Sequence, residues 1–466
     1  MSHRSRVLVI VSVATFVASL DLFIVNIAFP SIQRDFAGTS DSTLSWVLSA
    51  YAIVTAALLV PAGRLADLFG RKRLFMAGLV TFVGASALCA AAPSAGWLIA
   101  ARVIQAVGGA TLMPTSLAIL LDEFPPARRA LAVAVWSATG AVAAAAGPPI
   151  GGLLVQASWR WVFLVNLPIG LATALLAARF LRESRDPAGK RFPDIAGAML
   201  VVLGSSSLML AIVKGPDWGW ADRRTAGMFV LAAVLIGGFL YRCATHPAPV
   251  LELGLFRARS FSAANVAGTL FFAAFGAMLL ASVLFLTRVW HEDVLTAGVQ
   301  IAPGPIMAAV FAVPGSLLAA RLGQRTVAAT GSLLFAASGI WWISQVGLQP
   351  NYASEFLPGW LIGGAGVGFV IPTLASAAAG SLPPARFATG SAVYGMTRQF
   401  GIALGIAILI AVLGTPRGAE VLGAFRTSWE VTVGFAIASA VAAAAIGRIK
   451  REPVEAAATS DLQLAG

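Results

Sequence analysis

Three charged side chains stand where a chain can least afford charge. Asp21, Arg102 and Arg398 each lie inside an apolar run long enough to cross a bilayer. A charged side chain at the centre of a membrane costs roughly 2.5–3.5 kcal/mol on insertion scales, and such residues carry function by default. Burial favours a neutral acid, whereas a neighbouring arginine favours the carboxylate. An acid under both influences can take up and release a proton. Asp21 and Arg102 lie at similar depths in their runs, so they can pair. Two readings of Asp21 stay open: it couples protons, or it is only a structural partner of Arg102. Gln105 and Gly109 follow Arg102 at i+3 and i+7, on one helix face. Arg398, with Gln399 beside it, has no intramembrane acid near it in sequence. Cavity lining, anion contact and bonding to backbone carbonyls all fit it.

The elements that position these groups follow from composition. Of 466 residues, 58% are hydrophobic and 11% charged. A soluble domain carries roughly 25% charged residues. That excludes a cytosolic enzyme, a disordered chain and a disulfide-dense secreted scaffold. Cys89 and Cys243 lie far apart and read as buried free thiols. Lysine is scarce, 4 against 28 arginines, which with abundant Ala and Gly points to a GC-rich bacterial genome.

Fourteen segments have the length and apolarity of membrane spans: 7–29, 43–62, 74–93, 97–121, 130–155, 161–181, 194–213, 226–245, 261–287, 295–320, 326–347, 356–380, 388–413 and 428–447. The first follows Arg4 and Arg6 but is too long for a signal peptide, and is kept as an uncleaved helix. With the N-terminus inside, inner segments hold 22 basic residues and outer ones 8, which predicts both termini on the cytoplasmic side. The net charge of +12 is accounted for in the same way, since inner segments hold 10 acids and outer ones 9. The basic excess is a topology signal and not a nucleic-acid footprint. Eleven of the twelve tryptophans fall toward outer ends, Trp136 being the exception, and are expected to be interfacial anchors.

The chain also repeats itself. Pro125-Pro126-Ala127-Arg128 recurs as Pro383-Pro384-Ala385-Arg386, and Gly108, Pro114 and Thr115 match Gly366, Pro372 and Thr373 at the same offset of 258. Spans four and five therefore correspond to twelve and thirteen, a shift of eight. The predicted fold is an all-α integral membrane protein of 14 helices, with two six-helix bundles separated by two extra helices. Its divisions are 1–185, 186–250 for the inserted pair and its inner loops, 251–448, and a cytoplasmic tail at 449–466. Parallel halves of this kind place a substrate site between them near mid-membrane.

Four stretches carry further pattern. Gly63-Arg-Leu-Ala-Asp67-Leu-Phe-Gly70-Arg71-Lys72-Arg73 joins spans two and three. Its glycines allow a tight turn and close helix approach. Asp67 suits a helix N-terminus or a nearby arginine. The basic residues alone fit an inner-loop cluster, but the Gly and Asp spacing needs more. The second-half counterpart, Ser316 to Arg325, has Ala320 where Asp67 stands. Leu20-Asp21 with Val25-Asn26-Ile27-Ala28-Phe29-Pro30 marks span one, and Arg102 to Gly109 marks span four. In span five, Gly140, Gly147 and Gly151 share a face, with Pro148, Pro149 and Gly152 beside them. Small residues let helices approach closely in lipid, and the prolines impose a kink. Trp159-Arg160-Trp161 with Asn166 and Pro168 follows, and Thr397-Arg398-Gln399-Phe400-Gly401 marks span thirteen.

Over nearly its whole length the chain resembles a 14-span member of the major facilitator superfamily, in the drug:proton antiporter group of multidrug-efflux type. The resemblance implies a conformational latch at Gly63, Asp67, Gly70 and Arg71. It implies an Arg102 facing the central cavity and linked, with Asp21, to proton transfer. Asn26, Gln105, Arg398 and Gln399 are the expected cavity lining. The span-five motif of Gly140, Gly147, Pro148, Gly151 and Gly152 is associated with antiporters, and favours export over uptake. The expected function is proton-coupled export of small amphipathic or lipophilic molecules by alternating access, from a bacterial cytoplasmic membrane. The expected partners are a small-molecule substrate, protons and the lipid bilayer. The protein is expected to act as a monomer, without cofactor, metal, nucleic acid or ATP. A dedicated exporter of a native metabolite or lipid is a second reading, and a membrane sensor or scaffold of the same fold a third. An enzyme fits poorly, because no nucleophile–base constellation occurs. No phosphate-binding Gly-x-x-x-x-Gly-Lys motif is present. Gly364, Gly366 and Gly368 lie inside an apolar helix and read as packing. His291-Glu292-Asp293 lacks the second histidine of a zinc helix.

Overall fold

The computed structural model describes residues 2–185, 192–382, 386–414, 416, 418 and 420–447. The expected tail at 449–466, the basic residues Lys190 and Arg191, and the repeated Pro383-Pro384-Ala385 lie outside them. The described residues form helices joined by short turns, without a strand. In hydrocarbon, a helix satisfies its own backbone groups, which fits 14 apolar segments to this class.

Among the described residues, fourteen helices are long and apolar enough to cross a membrane: α1 (His3–Asp35), α2 (Asp41–Phe69), α3 (Arg71–Ala90), α4 (Ala95–Glu123), α5 (Leu131–Ala157), α6 (Trp161–Phe180), α7 (Ile195–Trp218), α8 (Arg223–Thr245), α9 (Arg259–Arg288), α10 (Val294–Leu322), α11 (Gln324–Gln345), α12 (Tyr352–Gly380), α13 (Thr389–Leu413) and α14 (Glu420–Ala444). Several outrun their predicted apolar cores, most clearly α1, because a helix can continue into the polar headgroup layer after hydropathy has fallen. Polar side chains start them: Ser94 accepts the Trp97 amide, and Asp293 the amides of Leu295 and Thr296. The Thr296 hydroxyl and amide hold the Asp293 carboxyl below the usual carboxylate range. The turns after α2 and α10 need glycine, at Gly70 with φ 118° and Gly323 with φ 90°.

The packing repeats with the eight-span shift read from sequence. In the first bundle α1 packs on α5 and α6, α4 on α2 and α3, and α3 on α6. In the second, α9 packs on α13 and α14, α12 on α10 and α11, and α11 on α14. The repeated glycines do the same work in each. A Cβ on Gly108 would lie 2.7 Å from the Gly78 carbonyl oxygen, and one on Gly366 would lie 2.6 Å from that of Gly331. Gly366 and its neighbours Gly364 and Gly368 are thus packing residues, as read.

The two bundles meet along two seams, α2 with α13 and α5 with α10, with α1 against α9 between them. The inserted α7 and α8 pack on each other, and α7 lies on both α2 and α13. The insertion therefore covers one seam and leaves the other uncovered. Arg242 of α8 grips Asp194 at 2.7 Å, and Lys214 of α7 donates to Ser42 at 2.7 Å. Burial pushes the Asp194 carboxyl up, but Arg242 and the Gly197 amide outweigh it and hold it below the usual range. Cys89 and Cys243 are free and buried, as expected.

The tryptophans depart from expectation. Trp97, Trp161 and Trp220 are exposed, as anchors would be, but Trp159, Trp290, Trp342, Trp360 and Trp429 are buried. Four of these form an aromatic cluster with Phe285, Phe356 and Phe425, in which Trp342 stacks on Phe356 at 4.9 Å. Position in the chain placed them at the outer level. Packing of the second bundle, which chain position does not encode, turned them inward.

Candidate functional site

Asp21 and Arg102 come together inside the first bundle, both with wholly buried side chains. Arg102 Nη1 donates to Asp21 Oδ2, and to Gln105 Oε1 at 2.6 Å. Gln105 Nε2 donates to Asp21 Oδ1 at 2.9 Å and to Ser86 at 2.8 Å, while Asn166 Nδ2 donates to Asp21 Oδ1 at 3.1 Å. Arg102 Nε donates to the Val47 carbonyl at 3.0 Å, and its guanidinium lies 4.0 Å from the Tyr51 ring centroid. Five helices, α1, α2, α3, α4 and α6, thus converge on one ion pair. Asp21 accepts three donors, an inventory suited to a carboxylate. Arg102 Nη2 is buried and unpartnered.

The burial corrects two expectations. Arg102 and Gln105 do not face an open cavity, because both are fully enclosed by the first bundle. Gln105 links the ion pair to Ser86 and lines no substrate space. Ser86 and Tyr51 do not stand out in the sequence, and Asn166 is marked there only as part of the stretch that follows span five, with no role. Asn166 had one available signal, a primary amide inside an apolar run.

The other expected lining residues are placed differently. Asn26 is nearly buried, with Nδ2 bonded to the Leu22 carbonyl at 2.7 Å and Oδ1 unpartnered. On α13, Arg398 Nε and Gln399 Oε1 are buried and unpartnered. The Arg398 guanidinium sits 5.7 Å from the centroid of Phe272 on α9.

The stretch joining α2 and α3 is tied mainly within the first half, apart from Arg64, which pairs with Glu252 ahead of α9 at 3.0 Å. Asp67 Oδ1 accepts from Arg71 Nε at 3.0 Å and from Nη2 at 2.9 Å, and Arg71 Nη1 reaches Asp122 at the end of α4. Glu183, after α6, accepts the Lys72 and Arg73 amides at 3.1 and 3.2 Å, the place where a helix N-terminus favours an anion. A Cβ on Gly70 would run into that carboxylate, and Gly63 lies against Pro114. These side-chain bonds of Asp67 and Arg71 bridge α2, α3 and α4 and do not cross to the second half.

The span-five motif does cross. Gly140, Gly147 and Gly151 turn toward Ser19, Phe23 and Ile24 of α1, so the shared face is a packing face. Gly152 points the other way, where a Cβ would stand 2.7 Å from Leu295 Cα on α10, and the Pro148 carbonyl abuts Gly298. This contact and the Arg288–Asp41 ion pair of 2.8 Å join the halves at the ends read as outer. Toward the other ends, Val135 and Val142 of α5 and Val313 and Leu317 of α10 are exposed. An apolar cleft of about 430 Å³ opens there between α1 and α5, with Val9, Phe16 and Val135 in its walls.

Comparison with known proteins agrees with this architecture. The chain is 32% identical over 416 residues to the multidrug resistance protein Stp of Mycobacterium tuberculosis (strain CDC 1551 / Oshkosh), covering 88% of this chain and 76% of that one. It is 34% identical over 411 residues to the methylenomycin A resistance protein of Bacillus subtilis (strain 168), covering 86% of each. In fold it matches a bacterial homolog of the human lysosomal transporter Spinster, solved inward-facing and unoccupied, with a TM-score of 0.69 over 96% of both chains at 18% identity. The family model described as Major Facilitator Superfamily matches residues 11–289. With that match, relatives named for drug and antibiotic resistance and 14 membrane-capable helices, the chain is a multi-pass transporter that belongs to the Major Facilitator Superfamily.

Proposed function

We propose that the protein is a proton-driven exporter of small amphipathic molecules in a bacterial cytoplasmic membrane, with both termini in the cytoplasm. The observation that carries this reading is Asp21. Among the described residues it is the acid held deep within a span, and its three donors come from two other helices, α4 and α6. A proton on Asp21 cancels its charge and releases Arg102 from its only carboxylate. Every helix of the site is then free to shift against its neighbours. Cargo and proton bias the same two-state element, which is what coupling requires. The names of the relatives support amphipathic drugs as cargo. The test is dye accumulation in respiring everted vesicles. The dye is expected to move inward only while a proton gradient stands, and to leak out when a protonophore collapses it. Accumulation that survives the protonophore would contradict the proposal.

Alternating access makes a separate prediction at Gly152. A valine there cannot fit against Leu295, and overpacking of this kind costs about 1–3 kcal/mol. The clash lies between the bundles and not within one, so the fold should survive with its outer ends apart. A cysteine replacing the buried Val294 is then expected to react about tenfold faster with an impermeant maleimide in the Gly152→Val background, since about 1.4 kcal/mol is a tenfold shift in population. Equal reactivity would show that this contact does not move.

A further inference from the structure

Arg398, partly buried in α13, is the charge within a span that the coupling site leaves unexplained. Arg102 is answered by a carboxylate, by hydrogen bonds to Gln105 Oε1 and the Val47 carbonyl, and by an aromatic face. Arg398 has none of the first two. No hydrogen bond or ion pair reaches its guanidinium among the described residues, and its Nε is shut away from water. The one titratable side chain in its electrostatic surroundings is Tyr394, a turn earlier on α13, whose hydroxyl is also buried and unpartnered. Gln399 Oε1 next to it is unpartnered too. Packing does not demand a long side chain here, because the repeat-related position on α5 is Gly140. An unpaired charge within a span is costly, and it persists where something outside the bundle completes it.

We infer that Arg398 is the recognition point for an acidic group on the cargo, and that the transported class includes amphipathic organic acids. This rests on the exporter reading above and adds the chemical class to it. A guanidinium presents a planar fork of N–H donors that matches the two oxygens of a carboxylate. The Tyr394 hydroxyl adds a neutral donor one helical turn away. Phe272, 5.7 Å from the guanidinium, offers an aromatic surface to the apolar body behind the acid. α13 packs on α2 across the seam between the bundles, and Gly395, one turn before Arg398, lies against Leu59 of α2, so the site is close to that seam.

The test uses three probes with one apolar body: pyrenebutyrate, its neutral amide and the cationic pyrenebutylamine. Binding to the purified protein is read by pyrene fluorescence, and uptake by everted vesicles separately. The wild type is expected to bind the acid more tightly than the amide. Arg398→Gln should weaken the acid by about 10- to 100-fold, the range of a hydrogen-bonded charge. The amide should change less than twofold, and Arg398→Lys should keep part of the acid's affinity. Without ligand, Arg398→Gln should melt no earlier than the wild type, since it removes an unpaired charge. Equal losses for acid and amide, or a wild type that binds the acid no better than the amine, would overturn the inference. Arg398-dependent binding without gradient-driven uptake would uphold the anion site and sink the exporter reading instead.

Discussion

Asp21→Asn is expected to abolish gradient-driven export; it leaves Arg102 buried without its carboxylate, so the yield should fall, but the fraction that folds should still bind cargo. Asparagine keeps the shape of the carboxylate, and its oxygen can still accept from Gln105 or Asn166. It cannot carry a proton in exchange for charge. Loss of drive without loss of binding separates a coupling residue from a structural one. In everted vesicles the variant should fall to the rate of downhill equilibration, with no accumulation against a gradient. Exchange of labelled for unlabelled cargo, which needs no net proton movement, should continue. Retained accumulation in Asp21→Asn would assign Asp21 to structure alone.

The second large effect falls on Arg102. Removing one partner of a buried ion pair costs about 3–5 kcal/mol, because the other charge stays behind uncompensated. Arg102→Gln strands Asp21 among helices that exclude water, and total stabilities run to only about 5–15 kcal/mol. The single variant is expected to give little folded protein. Asp21→Asn/Arg102→Gln removes both charges and should recover most of the yield, yet remain uncoupled. Yield and melting temperature of the single and double variants decide this. A single variant as stable as the wild type would mean that the pair is not what joins the five helices. The second bundle shows that the fold alone needs no such charge. The position repeating Arg102 is Trp360, seated in the aromatic cluster against Trp342. One bundle closes this level with a titratable pair and the other with aromatic packing. Under the proposed coupling, that difference is the reason to look for proton chemistry in the first half.

Much of this was legible in the chain. Apolar runs gave the spans, because a bilayer imposes length and apolarity on each segment alone. The offset of 258 gave the eight-span symmetry, which the packing repeats down to Gly108 and Gly366. Asp21 and Arg102 stood out because charge is rare in such runs. What stayed hidden depends on how helices far apart in the chain meet. Ser86 and Tyr51 look like any tolerated polar residue in a span until α3 and α2 are placed beside α4. Glu183 reads as loop charge until α6 brings it to the start of α3. Hydropathy counted α7 and α8 correctly but could not say that they cover one seam. The spacing around Asp67 stood out in the chain, but that its carboxylate and Arg71 tie α2, α3 and α4 together depends on where those helices meet.

The central claim is that cargo and a proton exclude one another through Asp21. It is tested most directly by adding cargo to purified protein in lightly buffered detergent solution and following the pH. The account predicts proton release on cargo binding to the wild type, and no release from Asp21→Asn although cargo binds. Equal release from both proteins would contradict it.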